Sequence, residues 1–119
     1  MHETAVAAEL LRLTEQAVRS AGAARATAIC LRVGEFSGVE SWSLQSAIQT
    51  LMPGTVARGA RLEIEDVPLL ARCTPCGCQF PVKSFRFQCP ACGAVRTQII
   101  RGEELELVSV CVENEQSVV

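Results

Sequence analysis

Two Cys-x-x-Cys units separated by twelve residues constrain this chain more than any other feature of its sequence. Cys73 and Cys76 form the first unit, and Cys89 and Cys92 form the second. Two intervening residues let both sulfurs of a unit reach one ion, and four thiolates at tetrahedral corners suit Zn²⁺. The pattern therefore predicts a structural tetrathiolate zinc site.

Other uses of the cysteines stay open at this point. Reduced structural cysteines would need no metal, and a rubredoxin-like iron site would use the same four ligands. A catalytic zinc is disfavoured because four thiols close the coordination shell. Cys78 is a fifth thiol nearby, either a spare surface residue or a ligand that exchanges in under changed pH or oxidation. Cys30 and Cys111 fall on predicted strands, where we expect small buried apolar residues.

Composition limits the classes of protein that this chain can belong to. With 119 residues, 49% of them hydrophobic, the chain can build one ordinary domain, or a compact domain with a small appendage. The formal net charge is −2, and across the whole chain acidic and basic residues read as interleaved, which disfavours a partner such as nucleic acid or an anionic membrane. Seven cysteines and no secretory signal pattern favour a cytoplasmic protein with reduced thiols.

Hydrophobic periodicity predicts an α+β fold, a small domain of two helices on a three-stranded sheet with a zinc-ribbon-like insertion domain. The helices are expected over 4–21 and from Glu40 or Ser41 to Leu51, and the strands over 27–33, 61–67 and 104–112. The period of the last strand slips at Leu107 and Val108, which indicates a bulge or burial on both faces. We expect residues 1–71 and 101–119 to form the α+β domain and residues 72–100 to form the zinc-binding domain.

The amino terminus carries the only histidine of the chain, His2. The α-amine of Met1, the amide nitrogen of His2 and its imidazole can close adjacent chelate rings on one ion, and Glu3 can add a carboxylate. Such a nitrogen set suits Ni²⁺ or Cu²⁺ better than Zn²⁺. From residue types alone the alternative is a solvated terminal histidine without a ligand role.

The Met1-His2-Glu3 start, a following helix, a Val-Gly-Glu turn after the first strand and the two Cys-x-x-Cys units together resemble the HypA/HybF family. This resemblance spans essentially the whole chain. It implies a nickel metallochaperone for [NiFe]-hydrogenase maturation, in which Met1, His2 and Glu3 hold transferable Ni²⁺. The resemblance also implies a ligand at Glu40, where the family's usual residue is Asp. The zinc ligands that it implies are Cys73, Cys76, Cys89 and Cys92.

The resemblance further implies a non-enzymatic function, with nickel passed to the large subunit of a [NiFe]-hydrogenase and a HypB-type GTPase as a second partner. Urease maturation and a homodimer stay open. The rival interpretation is a zinc-ribbon module that binds nucleic acid or acts in transcription. That class needs a basic surface with stacking aromatic residues, and the sequence pattern indicates neither. A small electron-transfer protein with iron in the thiolate site is a third hypothesis.

Overall fold

The computed structural model of this protein describes residues 3–114, which form two helices and six strands. Within that range neither helix is long and apolar enough to cross a membrane. In chain order the elements are α1 (Glu3–Ser20), β1 (Arg25–Gly34), α2 (Ser41–Leu51), β2 (Arg61–Val67), β3 (Leu70–Cys73), β4 (Gln79–Pro81), β5 (Thr97–Arg101) and β6 (Leu105–Glu113).

The larger sheet has the order β2-β1-β6, with β1 parallel to β2 and antiparallel to β6. Alternate residues Ile29, Leu31 and Val33 of β1 are buried because both helices pack on the face to which they point. Leu10 of α1 and Ile48 of α2 are buried in the same core. This arrangement confirms the predicted α+β class and the predicted helices and strands, whose ends differ from the observed ones by no more than two residues.

The predicted irregularity in the last strand is a β-bulge at Val108. Cys30 pairs with Ser109 whereas Leu31 pairs with Leu107, which leaves Val108 without an opposite residue on β1. The bulge confirms the interpretation of the period slip and resets which side chains of β6 share a face with β1.

A second, smaller sheet has the order β4-β3-β5, and we call residues 69–101 around it the ribbon unit. Its buried core consists of Leu69, Ala71, Cys73, Phe80, Val82 and Cys89. The sequence pattern predicts no strands here because runs of three to five residues are too short to show a period. The two sheets fit the predicted insertion, while its limits at 72 and 100 stay a prediction.

Two segments connect the larger sheet with the smaller one, from β2 to β3 and from β5 to β6. The Val-Gly-Glu turn lies where these two segments pass each other. A Cβ at Gly34 would lie 2.1 Å from the carbonyl oxygen of Gly102. The backbone N–H of Phe36 donates to that same oxygen at 2.6 Å, and the N–H of Leu69 donates to Oε1 of Glu35 at 2.8 Å. Three consecutive residues therefore tie the end of β1 to both connecting segments.

We expect Gly34→Ala to lower the free energy of unfolding by about 3 kcal/mol or more, because the added methyl group meets immobile backbone atoms. Gly59→Ala is the matched control, because a Cβ there meets nothing within 4 Å and only the positive φ of 73° is unfavourable. The control should cost about 1 kcal/mol. Urea denaturation of both variants measures the difference, and equal losses would contradict a close packing role for Gly34.

Candidate metal centre

The first Cys-x-x-Cys unit is a knuckle closed by two backbone hydrogen bonds. The N–H of Gly77 donates to the carbonyl of Cys73 at 2.8 Å, and the N–H of Cys73 donates to the carbonyl of Cys78 at 2.8 Å. Gly77 has φ of 78°, a conformation that a residue without a Cβ adopts at no steric cost. These bonds turn the loop so that both sulfurs of the unit point to the same side.

The second knuckle repeats this geometry sixteen positions later in the chain. The N–H of Gly93 donates to the carbonyl of Cys89, and the N–H of Cys89 donates to the carbonyl of Ala94, both at 2.9 Å. Ala94 therefore occupies the position that Cys78 has in the first knuckle. Since alanine serves there, the knuckle fold does not require the thiol of Cys78.

The two knuckles bring their four sulfurs into one cluster. The Sγ atoms of Cys73 and Cys92 lie 3.5 Å apart, those of Cys76 and Cys89 lie 3.7 Å apart, and all four lie within 4.8 Å of one another. Zn–S bonds of ~2.3 Å place tetrahedral sulfurs ~3.8 Å apart, so the cluster fits zinc. Across residues 3–114 it is the only group of three or more Cys, His, Asp or Glu that could hold a metal.

In the absence of metal, the pKa values of two thiols in the cluster are shifted in opposite directions. Burial acts to raise the pKa of Cys89, but backbone N–H groups of Cys92 and Ala91 and the neighbouring thiols outweigh it and lower that pKa to about 6. The N–H of Cys76 acts to lower the pKa of Cys73, yet burial and the neighbouring thiols raise it to about 12. Cys89 is thus a thiolate at neutral pH. Metal binding must release the protons that remain on the cluster, so low pH opposes metal binding.

Cys78 lies beside this cluster but outside its four-sulfur core. It is half-buried, packs against the core of the ribbon unit, and its Sγ donates to the carbonyl of Gln79 at 3.6 Å. Burial, and then the charges of Cys89 and Cys76, raise the pKa of the Cys78 thiol. A protonated thiol with a backbone acceptor is consistent with the interpretation of Cys78 as a spare residue.

Residues predicted to hold nickel are only partly described. Met1 and His2 lie outside the described residues. Glu3 is the first residue of α1 and lines a surface pocket with hydroxyl residues of α2. Glu40 precedes α2 at the N-cap position and lines a different pocket, with Glu35 and Asp66. The structure therefore places Glu3 and Glu40 in separate pockets.

The expectation that Cys30 and Cys111 are buried is wrong. Cys111 is exposed and Cys30 is only half-buried, because both lie on the face of the larger sheet that the helices leave uncovered. The thiol of Cys30 contacts Oε1 of Glu63 on the neighbouring strand at 3.6 Å. Period-2 alternation identified the strand, but it did not show which face the helices cover.

Acidic and basic residues are also less interleaved along the chain than expected. The ribbon unit contains no acidic residue, and all thirteen acidic residues of the chain lie outside it. Its basic residues are Arg72, Lys83, Arg86, Arg96 and Arg101. The sequence shows this uneven distribution of charge, but the net charge of the whole chain conceals it. The ribbon unit is therefore a cationic part of an acidic protein.

An exposed aromatic residue also occupies a strained turn in this unit. The backbones of Lys83 and Arg86 pair in an antiparallel bridge across a two-residue turn. In this turn Ser84 and Phe85 have φ of 53° and 56°. Left-handed backbone at a residue with a side chain costs about 1 kcal/mol or more. The Phe85 ring is 61% exposed and lies 5.7 Å, centroid to centroid, from the ring of Phe36. A basic surface with an exposed aromatic residue is therefore present, contrary to the expectation from the sequence pattern.

The fold and the thiol cluster together define a small α+β metal-binding protein with a zinc-ribbon-like insertion. The family described as "Hydrogenase/urease nickel incorporation, metallochaperone, hypA" matches residues 1–112. This chain therefore belongs to the HypA family of nickel metallochaperones, as the resemblance implied.

Individual relatives agree with this assignment. The hydrogenase maturation factor HypA of Roseiflexus sp. (strain RS-1) is 40% identical over 116 residues, which cover 97% of this chain and 94% of that protein. HypA of Geobacter metallireducens is 37% identical over 113 residues, which cover 95% of this chain and 100% of that protein.

Solved structures of the family have the same fold. The solution structure of the Ni metallochaperone HypA from Helicobacter pylori superposes with a TM-score of 0.68 at 26% identity, covering 97% of this chain and 100% of that one. A second solution structure of a HypA protein gives a TM-score of 0.71, also at 26% identity, covering 97% and 98%.

We expect Cys89→Ser to abolish zinc retention and to disorder the ribbon unit, because the pKa of this thiol is lowered to about 6 and its side chain is part of the small core. Cys78→Ser is the matched control and should keep about one zinc per chain. Elemental analysis and amide hydrogen exchange measure the two effects. Full zinc content in the Cys89 variant, or loss of zinc in the Cys78 variant, would contradict the ligand assignment.

Proposed function

We propose that this protein binds Ni²⁺ at its amino terminus and delivers it to the large subunit of a [NiFe]-hydrogenase during maturation. The observation that carries this proposal is the family match over residues 1–112, which includes the Met1-His2-Glu3 start and both cysteine knuckles. The HypA factors that this chain resembles are named for hydrogenase maturation, and one solved relative is described as a Ni metallochaperone.

The nickel ligands in this proposal are the α-amine of Met1, the amide nitrogen and imidazole of His2, and the carboxylate of Glu3. These donors form adjacent chelate rings, and nitrogen-rich sets of this kind suit Ni²⁺. Glu3 lies at the start of α1, where the helix dipole favours a carboxylate and holds it in the first turn. Glu40 remains a proposed additional ligand, and its pocket, separate from that of Glu3, makes it the weaker member of the set.

The second metal in the proposal is a structural Zn²⁺ held by Cys73, Cys76, Cys89 and Cys92. Zinc with four thiolates has no open coordination position and supplies folding free energy rather than chemistry. The buried core of the ribbon unit has only six residues, and two of them are the ligands Cys73 and Cys89. A core this small needs a metal to remain ordered.

Transfer of nickel in this scheme is exchange of ligands rather than catalysis, so the protein is not an enzyme. A terminal site with few ligands leaves positions open to donors from an acceptor protein, whereas the closed thiolate site does not release its ion. The partners that we propose are the hydrogenase large subunit and a HypB-type GTPase in the cytoplasm. The family description also includes urease, which makes urease maturation a second destination to test.

We expect His2→Ala to reduce nickel affinity by at least about a hundredfold, because the loss of the imidazole opens the chelate, while zinc content stays at one per chain. A Gly-Ser extension ahead of Met1 should have the same effect, since it removes the free α-amine. Isothermal calorimetry with untagged, zinc-loaded protein measures both.

Glu3→Gln and Glu40→Gln provide the graded comparison for this experiment. The Glu3 variant should weaken nickel binding more than the Glu40 variant does. Unchanged nickel affinity in both the His2 variant and the extended protein would refute the terminal site, and failure of wild-type protein to activate a nickel-dependent hydrogenase would refute the delivery role.

A further inference from the structure

The small sheet β4-β3-β5 buries one face in the core of the ribbon unit and exposes the other. Ala71 of β3 pairs with Phe80 of β4, and both belong to that core. Arg72 is the next residue along β3, so its side chain points to the opposite side of the sheet. The residues opposite Arg72 on the two neighbouring strands are Gln79 and Gln98, and all three are exposed. A row of amide, guanidinium and amide groups therefore crosses the exposed face.

Further cations lie on the same side of the sheet. Arg101 pairs with Leu70, which is two residues before Arg72 and shares its side. Lys83 continues the alternation of exposed and buried residues that runs along β4. Arg96 precedes β5 by one residue and is exposed, like the second residue of that strand. We call this surface the cationic face, and its polar residues are Arg72, Gln79, Lys83, Arg96, Gln98 and Arg101.

No carboxylate of the ribbon unit offsets these charges. The unit has five basic residues and no acidic one, and all ion pairs found between residues 3 and 114 lie outside it. A zinc-loaded thiolate cluster has a charge of −2, which set against five positive charges leaves +3 on the unit. The metal site therefore does not account for all of the positive charge, and the remainder suits a polyanion.

An exposed aromatic ring stands at the end of this face. The turn at Ser84 and Phe85 follows directly after Lys83. A two-residue hairpin turn with both residues at positive φ normally contains Asn or Gly, whereas this one presents a phenylalanine ring that is 61% exposed. Strained residues of this kind occur at functional sites, and an exposed ring beside cations is a platform on which a base can stack.

We propose that the cationic face binds single-stranded RNA. Arg72, Lys83 and Arg96 contact phosphates, and one base stacks on Phe85. A three-stranded sheet is ~10 Å wide, which fits one strand of nucleic acid laid across it. Readers of duplex DNA instead insert a helix or a narrow β-ribbon into a groove, and a flat sheet face does neither.

The amides on either side of Arg72 favour RNA over other polyanions. The side chains of Gln79 and Gln98 each donate and accept hydrogen bonds, and so does a 2′-hydroxyl group or the edge of an unpaired base. An acidic protein surface offers mainly acceptors and would leave the amide oxygens without donors. The proposed contact includes neither the amino terminus nor Glu40, so it stands or falls independently of nickel binding.

Salt dependence of binding tests the role of the cations. We expect zinc-loaded, nickel-free protein to bind a fluorescein-labelled single-stranded RNA, measured by fluorescence anisotropy. Four phosphate contacts give a slope of about −3 in a plot of log K against log salt concentration. The double variant R72Q/K83Q should bind at least about tenfold more weakly at low salt, with a slope of about −1.4, because two contacts are lost.

The matched control for charge is R12Q/R19Q. It changes the net charge by the same amount, but both residues lie on α1, where each pairs with a glutamate of the same helix. Its affinity for the RNA and its salt slope should equal those of the wild type. Zinc content of one per chain in both double variants shows that the ribbon unit is folded.

Glycine substitutions in the turn separate stacking from folding and from charge. Phe85→Gly relieves the positive φ and removes the ring, so the affinity for RNA should fall about tenfold while the salt slope stays unchanged. Ser84→Gly makes the same backbone change and keeps the ring, so it should bind RNA as the wild type does.

A DNA strand of the same sequence tests the amides. We expect the wild type to bind the DNA about tenfold more weakly than the RNA, and Q79A/Q98A to lose this preference while its affinity for the DNA is unchanged. Equal affinity of the wild type for both strands would overturn the assignment to RNA.

Three further results would overturn the proposal. These are no binding of RNA by zinc-loaded protein at low salt, equal weakening by R12Q/R19Q and R72Q/K83Q, and a Phe85→Gly variant that binds RNA normally. Binding of poly-glutamate in place of RNA, lost in R72Q/K83Q, would assign the cationic face to an acidic protein instead.

Discussion

Two stretches of backbone pass each other at Gly34 and Gly102 with no space for a side chain between them, and the arrangement of the whole molecule depends on this contact. The following residues complete the connection, because Glu35 accepts the N–H of Leu69 and the ring of Phe36 lies against aromatic residues of the ribbon unit. A larger residue at Gly34 would separate β1 from the segment that returns to β6. The turn at the end of β1 thus sets where the ribbon unit lies.

The two halves of the chain are stabilised by different means. The larger sheet and its helices bury a continuous apolar core, so hydrophobic burial can hold them together. The ribbon unit has a core of only six residues, beside a cluster of four thiols whose geometry fits zinc. A closed tetrathiolate site suits a permanent structural metal, whereas an open terminal site suits an ion that must leave. In the proposed function, the two sites would therefore keep a resident metal separate from a transferable one.

Charge distribution adds a second difference between the halves. Four thiolates around a dication leave a local charge of −2, and the ribbon unit contains only basic residues to offset it. Arg72 and Arg96 lie next to the knuckles in sequence, while Lys83 and Arg86 lie at the strained turn, where neither forms an ion pair among the described residues. The acidic pocket beside Trp42 lies on the other half of the chain.

The sequence by itself determined the features that depend on short-range order. Four features could be predicted because each follows from local geometry. They are the three- to four-residue period of α1, the alternation of Ile29, Leu31 and Val33, the bulge at Val108 and the cluster of four cysteines. Only the tertiary structure decided the strand order β2-β1-β6, the uncovered face that exposes Cys111, and the approach of Gly34 to Gly102. These features depend on packing between residues far apart in the chain, and no local pattern specifies which distant segments will meet.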